Sequence, residues 1–137
     1  WNAKGVDAGT GKADLSQIAK DVALKYNCIV SISGEIDYIS DGKKIAKIDN
    51  GTTLFPKITG SGCLLSAVCG AFLTLDNNDN NNFELVVSAC TSYAVAGQIV
   101  KEKLNDNQTG QFYIGLLDSL AIIDDKTVQE YAKISFD

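Results

Sequence analysis

An uncharged run of 18 residues, Ile58 to Leu75, constrains this chain more than any other stretch, and it opens on Thr59-Gly60-Ser61-Gly62-Cys63. From residue 63 onward it carries Leu64, Leu65, Val68, Phe72, Leu73 and Leu75, interleaved with the small Ala67, Gly70 and Ala71. These positions fall on every side of a helix, and a helix apolar all round is expected to be buried on all sides. Length alone would allow a membrane span. Residues 59–62 use up the first turn on small and polar groups, so a core helix is expected and a membrane partner is not.

The neighbouring patterns point to an α/β domain. Residues 14–26 place Leu15, Ile18, Ala19, Val22 and Ala23 at helical spacing, with Asp14 as the expected cap. Residues 28–33, "CIVSIS", form a short β-branched run ended by Gly34, which reads as a buried strand of the kind parallel sheets use. "DYIS" and "KKIAKID" flank Asp41-Gly42, a dipeptide suited to a tight hairpin because glycine accepts positive φ. Residues 76–82 are an Asn-rich polar loop, and 83–104 repeat apolar residues at helical steps. Segments 112–121 and 125–133 predict two further short helices, with "DDK" as break and cap. One good strand and one hairpin are too little sheet for a helix that needs partners on every side. That shortage and the absence of methionine lead to the expectation that the chain is the C-terminal part of a larger α/β protein.

Composition excludes several chemistries. A chain of 137 residues, 45% hydrophobic, has the length of one domain. Its net charge of −5 and scattered lysines do not suit a nucleic-acid surface. There is no histidine, which removes Ser-His-Asp and Cys-His nucleophile schemes from within the chain. Cys28, Cys63, Cys69 and Cys90 contain no CxxC pair and sit in or beside apolar segments, as reduced thiols do. With no signal peptide at the N-terminus, the expected compartment is the cytoplasm.

Two places carry candidate chemistry. Gly60 and Gly62 leave the backbone free of Cβ atoms just where the first turn of a helix has unpaired N–H groups, an arrangement that binds phosphate or a developing anion. The alternative is a tight packing turn, and neither the Walker nor the Rossmann glycine pattern is present. Cys63 would lie in that turn, where a helix start favours thiolate, whereas Cys69 and Cys90 read as core thiols. Ser33 and Gly34 end a strand, where α/β sheets gather ligands, or else simply turn the chain. Glu35 and Asp37 read as solvated carboxylates, with metal ligation or general-base work as the alternative.

Beyond these local patterns, "KGVDAG" at 4–9, "SISGEIDYI" at 31–39, "NGTTLFPKITGSGCLLSAVCGAF" at 50–72 and "SYAVAGQ" at 92–98 resemble the C-terminal half of the hydroxyethylthiazole kinase family, in the ribokinase-like superfamily. The likeness covers essentially the whole chain, and its most specific element is Cys63, where most ribokinase-like enzymes place an aspartate. The resemblance implies the C-terminal portion, residues 1–137, of one ribokinase-like three-layer α/β/α domain. It implies transfer of the γ-phosphoryl of ATP, with Mg2+, to the hydroxyl of 4-methyl-5-(2-hydroxyethyl)thiazole in thiamine salvage. On that carry-over Gly60, Ser61, Gly62 and Cys63 form the anion hole, Cys63 stands near the substrate hydroxyl, Gly60 touches the thiazole, and Ser33, with Gly34 beside it, touches ATP. Ser33 replaces a common threonine and keeps its hydroxyl. The other half of the enzyme would supply the magnesium ligands and an ATP-contacting arginine, in a homotrimer. The competing readings are another ribokinase-like kinase, of hydroxymethylpyrimidine, pyridoxal or a sugar; a thiol-redox domain built on Cys63; and a non-catalytic assembly domain.

Overall fold

The computed structural model describes residues 14–76 and 81–137. The "KGVDAG" segment and most of the Asn-rich loop lie outside the described residues. Among those described, the order is α1 (Leu15–Tyr26), β1 (Val30–Ile32), β2 (Asp37–Ser40), β3 (Ile45–Ile48), α2 (Ser61–Leu73), α3 (Asn82–Lys101), α4 (Thr109–Ile122), α5 (Asp125–Tyr131) and β4 (Ile134–Phe136). The Asp14 carboxylate caps α1 by accepting from the Ser16 and Gln17 N–H groups, and Asp124 caps α5 from Thr127. Gly42, at φ 91°, turns the β2–β3 hairpin, where the Asp41 carboxylate accepts from the Lys43 and Lys44 N–H groups at 2.7 Å.

The four strands form an antiparallel sheet in the order β1-β2-β3-β4. This corrects the expectation for residues 28–33. The apolar run does form a strand, but among the described residues it pairs only with β2, antiparallel, and it is only half covered. Residues 33–36 decide its direction, because four residues can return the chain beside itself but cannot make the crossover of a dozen or more residues that a parallel pair needs. β4 was not foreseen: its three exposed residues carry too short an alternation to separate from the end of a helix.

Helices lie on both sides of the sheet. Ile39, Ala46 and Ile48 share one face and pack with Phe83, Val86, Val87, Cys90 and Ala94 of α3, while α1 contacts β1 and β2 and buries Ala19 and Ala23. The added Cβ at Gly42 would touch Leu24 of α1, which fixes how closely the hairpin approaches that helix. Among the described residues α3 is the one helix long and apolar enough to cross a membrane, and 67% of its most apolar 18-residue window is buried inside the fold. The 58–75 run is not one helix, since α2 begins at Ser61.

The fold also corrects the picture of α2. No residue of this helix is fully buried. Leu64, Leu65, Val68, Cys69 and Leu73 pack toward α3 and its neighbours, whereas Gly62, Cys63, Ser66, Ala67, Gly70 and Ala71 are exposed. Within α2 the helix that looks apolar on every side is therefore divided by size, with large side chains inward and small ones outward.

Small residues also let α3 be approached closely. Phe55, in the 3-10 turn Phe55–Lys57 that precedes α2, stacks on Tyr93 with ring centroids 5.0 Å apart and meets Phe112 edge-on at 5.4 Å. Its ring lies against Gly97 so tightly that an added Cβ would sit 2.8 Å from Phe55 Cε2 and closer still to Cζ. Gly97→Ala should therefore destabilise the fold by about 1–3 kcal/mol, as overpacking of a core does, read as a lowered urea midpoint. An unchanged midpoint would mean that Phe55 is free to move away.

Candidate functional site

The site builds from the turn before α2. Gly60 sits at φ 87°, a conformation costly for any residue with a Cβ, and its carbonyl accepts the first helical bond from the Leu64 N–H at 2.9 Å. Among the described residues no side chain caps the helix, so its first N–H groups point outward without a side-chain acceptor there, as an anion site requires. Among the same residues nothing lies within 4 Å of where a Cβ would stand at Gly60 and Gly62. Packing among the described residues thus does not demand glycine at 62. Cys63 is exposed in the same turn.

Two hydrogen bonds fix this turn from beneath. The Ser61 hydroxyl donates to the Phe55 carbonyl at 3.1 Å, and the Tyr93 hydroxyl donates to the Ser61 carbonyl at 2.8 Å. Burial, aided by the nearby Tyr113, holds the Tyr93 phenol well above its ordinary range, so it stays protonated and available as the donor. Tyr93 was missed as a positioning residue. Its hydroxyl on the apolar stripe of α3 was the available clue, since a buried tyrosine must find an acceptor. A shallow depression of about 270 Å³ lies beside the turn, lined by Lys57, Ile58, Thr59, Thr109, Gly110 and Tyr113. The larger depression, about 360 Å³, lies near β3 and β4 and includes none of the expected site residues.

Ser33 and Gly34 stand beyond the end of β1, both exposed. Among the described residues no hydrogen bond joins them to residues 60–63. What links the two regions is a chain of contacts through the core: Ser31 Oγ lies 3.4 Å from Cys90 Sγ, which lies 3.9 Å from Cys69 Sγ on α2. The Ser33-Gly34 turn is itself anchored, because the Gly34 N–H donates to Asp37 Oδ1 at 2.9 Å.

Asp37 overturns its reading as a solvated carboxylate. It is only 9% exposed, and desolvation pushes its pKa up to about 6 against the lowering effect of the Gly34 N–H. Its neighbour Glu35 is exposed. Alternation along β2 turns Asp37 to the same face as Ile39, the face that α3 covers, and two carboxylates two residues apart in sequence do not reveal that. Among the described residues no three acidic or cysteine side chains converge as a metal site. These residues alone do not fit a dedicated magnesium site.

A family model described as "Hydroxyethylthiazole kinase family" matches residues 1–126. The chain belongs to the hydroxyethylthiazole kinase family. Relatives named hydroxyethylthiazole kinase are 56% identical in Pasteurella multocida (strain Pm70), over 100% of this chain and 51% of that protein, and 55% identical in Histophilus somni (strain 129Pt), over the same shares. A solved structure, the hydroxyethylthiazole kinase protein from Pyrococcus horikoshii OT3, superposes with a TM-score of 0.82 at 27% identity, covering 90% of this chain and 46% of that one. The fold is the α/β, ribokinase-like fold of this kinase family. The chain spans about half the length of the curated relatives it matches.

The pKa of Asp37 makes a stability statement. A carboxyl whose folded pKa lies above its unfolded value binds more protons when folded, so its favourable contribution is complete below the unfolded pKa near 3.8 and is lost as pH rises to about 6. The loss is on the order of 2–3 kcal/mol. Asp37→Asn, which keeps an oxygen for the Gly34 N–H, should flatten the fall in urea midpoint across that window. An Asn variant with the original slope would show that another group titrates there.

Proposed function

We propose that this chain forms the phosphoryl-transfer half of a hydroxyethylthiazole kinase, which moves the γ-phosphoryl of ATP to the substrate hydroxyl as a step of thiamine salvage. The observation that carries this reading is the uncapped, glycine-opened start of α2 in a chain whose relatives are hydroxyethylthiazole kinases. Phosphoryl transfer needs positioned positive charge more than covalent chemistry. The N–H groups at Gly60, Ser61, Gly62 and Cys63 would receive the charge that develops on the transferring phosphoryl, in an orientation fixed before substrate arrives. Gly60 would touch the thiazole. Ser33 and Gly34 would contact ATP from the sheet side, with Asp37 holding that turn.

Cys63 would stand beside the reacting hydroxyl. Little proton removal is needed early in a loose transition state, so its thiol would help without being indispensable. Magnesium would accompany the phosphates of ATP, and since the described carboxylates form no cluster, no step here is assigned to it. The exposed small-residue face of α2 suits close packing against the portion that the relatives possess beyond this chain. The reading extends to a homotrimeric enzyme of the cytoplasm, in which residues 1–137 are the C-terminal portion of a single domain.

The test is ADP release from MgATP with and without hydroxyethylthiazole, first for the 137 residues alone and then with the complementary portion of the Pasteurella multocida relative. Thiazole-dependent release is expected only for the combination, and turnover by the chain alone or without thiazole would refute the proposal. In the active combination Cys63→Ala should lower turnover but leave it measurable, and Cys63→Asp should preserve or raise it. Complete loss with Ala would make the thiol essential.

A further inference from the structure

Four cysteines remain free, and they fall into two kinds: Cys28 and Cys63 are exposed, while Cys69 is half-buried and Cys90 fully buried. The last two face each other across the packed α2–α3 interface with their sulfurs 3.9 Å apart. The two differ in surroundings: Cys69 is half-buried, whereas Cys90 is buried with the Ser31 hydroxyl 3.4 Å from its Sγ. The sulfurs need to close by roughly 2 Å to reach the S–S bonding distance of about 2.05 Å.

We propose that Cys69 and Cys90 form a peroxide-sensitive dithiol site, oxidised to a disulfide that ties α2 to α3. The chemistry begins at the accessible sulfur. The hydrogen bond from the Cys90 thiol lowers the Cys69 pKa against burial and the nearby Asp37 carboxylate, while the same bond and burial push Cys90 up. Cys69 is therefore the more readily ionised of the two sulfurs, and it is the thiolate that reacts. Its sulfur attacks one oxygen of hydrogen peroxide, the O–O bond breaks, and the departing hydroxide takes a proton to leave as water. Cys69 is then a sulfenic acid. The Cys90 sulfur attacks that sulfenic sulfur, forming the S–S bond and breaking the S–O bond, and the Cys90 proton leaves with the hydroxide as a second water. Two thiols are oxidised by two electrons in all, and one peroxide is reduced to two waters.

The link would act on the turn that opens α2. Cys69 lies six residues, about 9 Å, along the helix from Cys63, and Cys90 lies one helical turn from Tyr93, whose hydroxyl holds the Ser61 carbonyl. A disulfide would fix α2 and α3 at one separation and reset that hydrogen bond.

The experiment treats the Cys28→Ser/Cys63→Ser chain with a few equivalents of hydrogen peroxide and reads intact mass, free thiols and proteolytic peptides. The expected result is a loss of about 2 mass units per chain, no alkylatable thiol, one cross-linked peptide joining Cys69 to Cys90, and full reversal by dithiothreitol. Oxygen added at Cys69 without a cross-link, disulfides only between chains, or both thiols still alkylatable would overturn the proposal. The wild-type chain mapped the same way keeps the test decisive should the double variant fail to fold. There the 69–90 peptide must form before oxidation at Cys28 or Cys63 is complete, and its absence would equally overturn the proposal.

Discussion

The contact between α2 and α3 is the constraint on which the rest of this chain depends. α3 is the central element: the sheet lies on one side of it through Ile39, Ala46 and Ile48, and α2 and α4 pack against its other surfaces. Because α2 turns its large side chains inward, the direction of its first turn is set by core packing rather than by a cap. The N–H groups left free there are held in place by the Phe55–Tyr93 stack and the two hydrogen bonds below Ser61. In the proposed reading an anion bound there would cost little reorganisation, since the donors are fixed before any ligand arrives.

A second set of polar contacts closes the far side of the fold. Asn50 is buried, and its side chain donates to Gln98 Oε1 and to the Tyr131 carbonyl, both at 2.9 Å, while accepting from the Lys133 N–H at 2.7 Å. One amide therefore joins the strand end, α3 and the segment leading into β4. Such a fully satisfied group favours a single arrangement, because each alternative would strand a buried donor or acceptor. The surface ion pair between Lys44 and Glu84, both more than half exposed, adds little by comparison.

What could be read from the sequence follows from which forces are local. The α1 cap at Asp14, the Asp41-Gly42 hairpin, the apolar stripe of α3 and the break at Asp124 all came through, because each is decided within a few residues. So did the glycine-opened start of α2, where Gly60 takes the positive φ that the turn needs. The pairing of β1 with β2 did not, since Ile29, Val30 and Ile32 would suit either kind of sheet and only the four-residue return makes that pair antiparallel. The burial of Asp37 did not either, because its desolvation comes from α3, more than forty residues away. The family resemblance rested on Cys63 after the glycines, and the match over residues 1–126 bears it out.

If the first turn of α2 binds anions as proposed, titrating the 15N-labelled chain with MgATP will move its amide resonances at that turn. Saturable shifts are expected centred on Gly60, Gly62 and Cys63, weakened by salt, with the α4 and α5 amides far from the turn unmoved. Saturable shifts elsewhere while those three amides stay in place would contradict the proposal.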